Sequence, residues 1–194
     1  MDTTEQLNET DNNYWPSVFI SGGIFGLIYF LLPVLVGYMI INANPSEAMS
    51  SLLITVVGFC LACLIGTLGG FTAAWHYAKE FAGQLDLGKG ALIGFITGVI
   101  IVVVEVFASQ LWSVIDPDYI PKLLENLTTM IGNLNIPEAQ KQMQIDSIAG
   151  QFQSSDSFGS VFVNLLIQAP IWGLLNLITG MIGAKIFGID EPEF

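Results

Sequence analysis

The segment IIVVVEVFA, residues 100–108, sets one carboxylate, Glu105, among aliphatic and aromatic side chains. A carboxyl in such surroundings can carry a proton, hold a cation or take part in a buried hydrogen bond. Asn164, Gln168 and Asn176 are amides of a later apolar stretch, residues 158–187. With Glu105 they form a candidate intramembrane polar site, and Gln168 or Asn164 is expected beside the carboxyl. Other groups carry less. Cys60 and Cys63 form a C-x-x-C inside an apolar run, with neither a redox loop nor a second pair for zinc. They read as two small core residues. His76, in AAWHYAKE, has no second ligand at metal-binding spacing and reads as a headgroup anchor. The sequence has no Walker motif, no G-x-S-x-G, no H-E-x-x-H and no dinucleotide fingerprint. No catalytic, cofactor-binding or metal-binding residue follows, and the expectation is a protein that is not an enzyme and holds no cofactor.

The elements that must position these groups are long apolar runs. The chain has 194 residues, of which 53% are hydrophobic and 11% charged, against about 25% charged in an average soluble domain. A helix rises 1.5 Å per residue, so about 20 residues cross ~30 Å of hydrocarbon. The pattern predicts an all-α fold, an integral membrane four-helix bundle, with helices at about 16–41, 51–80, 90–114 and 158–187. One membrane domain then covers 16–188, between a mobile acidic tail at 1–15 and an acidic tail at 189–194. The first run lacks an upstream Lys or Arg and exceeds a signal h-region, so it reads as a retained helix. Within the third helix, Glu105 costs on the order of 2.5–3.5 kcal/mol on insertion scales, and each Ile, Val or Phe returns about 0.3–0.6. Its seven such neighbours in residues 100–108 roughly offset it. Pro33 and Pro170 lie in the same half of the membrane as Glu105 and can kink helices one and four.

Small residues recur at steps of four. Helix two carries Gly58, Ala62, Gly66, Gly70 and Ala74; helix three carries Gly90, Gly94 and Gly98. Helix four adds Gly180, Ala184 and Gly188, and helix one Gly22 and Gly26. Helices in lipid gain no hydrophobic energy by associating, so close backbone approach at small residues must hold them. These rows, of the glycine-zipper kind, are expected to pack helices two and three together, or two copies of the chain.

The connection 116–157 is too long for a bare loop. Ile120, Leu123, Leu124, Leu127, Met130, Ile131 and Leu134 recur at helical spacing and predict an amphipathic helix over about 119–134. Ile145, Ile148, Ala149 and Phe152 make a weaker stripe after the break at Pro137. Together they predict a helical hairpin on the membrane surface or across the bundle's end. The serines and Asp156 of SSDSFG are placed to cap helix four.

The net charge is −12, with 17 acids, five lysines and no arginine. That excludes a nucleic-acid partner, which needs a basic face. Lys79, Lys89 and Lys185 lie at one end of the bundle, against Lys122 and Lys141 in the connection. The positive-inside rule then puts the turn between helices two and three, and both termini, in the cytoplasm.

HYAKEFAGQLDLGKGALIG and IDPDYIPKLLENL, with the four-helix layout, resemble the bacterial membrane proteins catalogued as domain of unknown function 4199, across most of residues 17–188. The resemblance implies a four-helix membrane protein and supplies no activity and no site residues. Its members commonly end helix four with several basic residues, where this chain has Lys185 alone. The function expected is an accessory or scaffold subunit of a bacterial inner membrane. It would contact lipids, itself or other membrane proteins. The alternative is a transporter or channel component using Glu105 as a proton or cation site.

Overall fold

Trp15 and Pro16 open the first helix, a proline in the first turn costing no hydrogen bond. The computed structural model describes residues 13–44, 48–80, 85–153 and 158–188, and all its elements are helices. They are α1 Trp15–Ile41, α2 Ala48–Glu80, α3 Leu87–Ile115, α4 Tyr119–Gly132, α5 Glu138–Gln153 and α6 Phe158–Phe187. Four of them, α1, α2, α3 and α6, are long and apolar enough to cross a membrane. Helices two and three begin three residues earlier than the apolar runs predict, at Ala48 and Leu87. For α3 the reason is a cap. The Asp86 carboxylate accepts the Lys89 N–H at 2.8 Å, so the polar end of the turn is already helical. The expected cap of α6 at Asp156 lies outside the described residues, as do the tails 1–12 and 189–194.

The spans run alternately up and down. Ser17 and Ser21 of α1 meet His76 and Thr72 of α2, so those two are antiparallel. Gly22 and Gly26 face Ile100 and Val104, so α1 and α3 are parallel. Gly90, Gly94 and Gly98 face Gly180, Asn176 and Trp172, so α3 and α6 are antiparallel. The α3–α6 contact is the most extensive, and α2 touches α1, α3 and α6.

Which residues are inside identifies the solvent. The buried positions of the spans include Ser17, Ser21, Thr97, Asn176, Ala62, Ala73, Ala74 and Ala184. A few large side chains such as Ile93, Ile101 and Trp172 are buried with them, but many large apolar ones face out: Phe59 is 62% exposed, Leu64 64%, Phe107 73% and Val114 77%. A water-soluble bundle reverses this arrangement, whereas a bundle solvated by lipid tails has no reason to hide leucine and packs on small residues.

The predicted connection is helical, as α4 and α5. Tyr119, Leu123 and Met130 of α4 share a buried cluster with Phe30, Val34 and Ile40 of α1. The amphipathic stripe therefore closes over the end of α1. Ile145, Ile148, Ala149 and Phe152 of α5 are half-buried, with exposed residues between them.

Candidate functional site

Asn176 is wholly buried and ties α6 to α2 and α3. Its Oδ1 accepts the Gly70 N–H at 2.7 Å, and its Nδ2 donates to the Trp172 carbonyl one turn back at 3.1 Å. One turn further along α6, the Thr179 hydroxyl donates to the Thr67 carbonyl of α2 at 2.6 Å. Glycine is required around this point. A Cβ at Gly70 or Gly94 would overlap the Asn176 carbonyl oxygen, and one at Gly98 the Trp172 carbonyl. Gly90 sits against Ala184 and Gly180, and Gly180 in turn against Gly90 and Gly94. The glycine row of α3 is thus half of a seam with α6, not with α2. Seen from sequence, spacing shows which face is small but not which helix lies opposite. The α2 row is divided: Gly58 receives Val36 of α1, Gly66 receives Trp172 and Tyr29, and Gly70 receives α6. α2 meets α3 at Gly69, outside the row, against Ile101 and Thr97, and again at Tyr77, whose ring lies under Lys89.

A second polar seam joins α1 and α2, and the sequence reading missed it. Ser17 Oγ lies 2.9 Å from His76 Nδ1, and Ser21 Oγ donates to the Gly69 carbonyl at 2.9 Å and pairs with Thr72 Oγ1. Ser17 and Ser21 stand four apart, a spacing that puts both hydroxyls near one face, while Gly22 and Gly26 lie further round, toward α3. That signal was available. His76 is half-buried and held by Ser17, which makes it part of this seam. Cys60 is exposed and Cys63 half-buried, so the C-x-x-C is not a core pair.

Glu105 lies four residues, about 6 Å, from the midpoint of α3. It is half-buried. Ser109 Oγ, one turn along the same helix, donates to its Oε1 at 3.0 Å, the only hydrogen bond of the carboxyl among the described residues. Tyr29 of α1 is within electrostatic reach of Glu105 and Cys63, and packs edge-on to Trp172 with 4.5 Å between ring centroids. Gln168 is half-buried and Asn164 exposed, and among the described residues neither bonds to Glu105. The α3–α6 register sets Glu105 level with Leu165, and Gln168 level with Val102. Of the four polar candidates, Asn176 is fully engaged, Glu105 is bound only within its own helix, and the two remaining amides stand apart from both.

At the other end of α1, α4 is fastened by polar contacts. Asn126 Nδ2 donates to the carbonyls of Ile40 and Ile41 at 2.7 and 2.8 Å, satisfying orphan groups at the helix end. The Tyr119 hydroxyl donates to the Pro33 and Val34 carbonyls at 3.4 and 3.5 Å, in the space left by Gly37. Burial pushes the Tyr119 phenol up to about 12, so it remains a donor at neutral pH. The Tyr38 hydroxyl donates to the Asp116 carboxylate between α3 and α4.

These features define a four-helix, multi-pass membrane protein whose interior polar groups mostly bind helices to one another. The chain belongs to the family described as "Protein of unknown function (DUF4199)", which it matches over residues 21–187. Neither the curated proteins nor the solved structures contain a match.

Proposed function

We propose that the protein is an accessory or scaffold subunit, working through helix–helix and protein–protein contacts in the bilayer of a bacterial inner membrane. Both termini would be cytoplasmic, with Lys79, Lys89 and Lys185 at that face. One observation carries this reading. The half of the bundle near the α2–α3 turn is closed by its own seams, while the half near α4 leaves helix surface unused. No residue of α3 from 103 to 115 and none of α6 from 159 to 171 is buried, and in α2 only Ala62 is buried between 53 and 65. Helices that end their mutual burial halfway across a membrane leave room for other helices or for lipid. The test is a photo-cross-linking residue at Leu166 in native membranes, with Ile186 as the control at the closed half. Protein adducts at Leu166 and none at Ile186 support the proposal. Adducts with lipid alone at both positions refute it.

A second reading, a transporter or channel component, draws on the single own-helix hydrogen bond of Glu105 near the middle of its span. It requires proton or cation flux in proteoliposomes that Glu105→Gln abolishes.

A further inference from the structure

Glu105 is a carboxyl in a crowd of apolar side chains, and this chain offers it no cation. The sequence has no arginine and five lysines. Lys79 and Lys185 lie in the last turns of α2 and α6, Lys89 in the first turn of α3, and Lys122 and Lys141 in α4 and α5. None is at the depth of Glu105. A second copy of the chain carries the same lysines at the same places, so self-association cannot supply the cation either.

The position of Glu105 adds a second observation. Seven residues on from Gly98, close to two turns, it continues the α6-facing line of α3. On that line Gly90, Gly94 and Gly98 are buried, and at Glu105 burial stops. Leu165, level with it on α6, and the neighbouring Ala169 are half-buried too. Beneath lie the Tyr29 and Trp172 rings, packed into the space left by Gly66. Glu105 therefore stands where the buried α3–α6 seam ends, on the halves of the two helices that leave surface unused.

Resting on the scaffold reading above, we infer that Glu105 receives a lysine or arginine carried at matching depth by a transmembrane helix of a different protein. A carboxyl within a membrane stays charged only where it pairs with an opposite charge or faces a polar cavity, and is otherwise held neutral. A basic residue in a partner helix has the same difficulty, and each relieves the other. The long stem of lysine or arginine lets a helix lying against α3 and α6 reach the half-buried carboxyl. Such pairing selects a partner by charge and depth rather than by shape alone.

The test uses the purified full-length protein in phosphatidylethanolamine–phosphatidylglycerol vesicles, with labelled leucine–alanine peptides of about 23 residues as single-span probes. One probe carries lysine near its centre and its twin carries leucine. Energy transfer to the labelled protein should show the lysine peptide associating about tenfold more tightly. Glu105→Gln should remove that preference and Glu105→Asp should keep it. Leu165→Trp, which adds bulk on α6 where the seam ends and leaves the carboxyl intact, should weaken the lysine peptide as well. Equal association of the two peptides overturns the inference, and so does a lysine preference that survives Glu105→Gln. Cross-links from Leu166 to a native protein that persist in Glu105→Gln would keep the scaffold reading while removing the charge pairing. Loss of all protein cross-links from the unmodified chain would remove both.

Discussion

The two halves of this bundle solve one problem differently. Near the α2–α3 turn, all four spans meet at glycines, alanines and short hydroxyls, and backbone groups of one helix bond to side chains of the next. Near α4, α1 is covered by a surface helix that caps its carbonyls and by Trp112 of α3, while α2, α3 and α6 have almost no fully buried residue. The closed half uses its small residues on itself, so those residues are spent as interaction motifs. Any external partner has to be sought where the packing stops. The same small-residue pattern would be read as a dimerisation surface from sequence, and here it is an internal seam.

Adding volume to the closed half is the most severe way to break this contrast. Gly94→Val drives a branched side chain into the Asn176 carbonyl and should cost about 3 kcal/mol, the upper end for overpacking. Reversible unfolding in mixed detergent micelles reads the loss, and a neutral result would mean that α3 and α6 are further apart than described. Asn176→Leu keeps the branched shape and leaves the Gly70 N–H without its side-chain acceptor. By the same assay it should cost about 1–2 kcal/mol. Tyr119→Phe and Asn126→Ala act on the clasp alone, at about 0.5–1 kcal/mol each. Amide exchange should quicken across 119–132 and stay unchanged in α2 and α6, and quickening throughout would show that α4 supports the whole bundle. Smallest of all, Leu166→Ala should stay within ~0.5 kcal/mol, because that side chain is 58% exposed to lipid. A larger loss would place it in a contact of its own.

The spans were legible because twenty-odd apolar residues have few other uses, and α1 begins within one residue of its expected start. The stripe of α4 was legible for the same reason, a 3.6-residue period ending on one face. What stayed hidden is what depends on a neighbour's identity. Gly90, Gly94 and Gly98 announce a close contact by spacing, but nothing local states that it belongs to α6 rather than α2. Asn176 stands out as polar, yet its bond to Gly70 joins positions 106 apart in sequence. The nearest partner of Glu105 was legible and overlooked. Ser109 is one turn away on the same face, whereas Gln168 and Asn164 belong to another helix. Ser17 and Ser21 escaped because a serine hardly disturbs an apolar run.

Most directly, the seam between α3 and α6 can be tested by pairing Gly90→Cys with Ala184→Cys in a chain whose Cys60 and Cys63 are replaced by alanine. A Cβ at residue 90 would stand closer to that of Ala184 than the ~3.5–4.5 Å of a disulfide, so once the helices part by about 1–2 Å, mild oxidation in membranes should close an intramolecular disulfide with a compact gel shift. A chain that stays reduced there, while the pair Gly66→Cys with Gly94→Cys closes instead, would contradict the arrangement described.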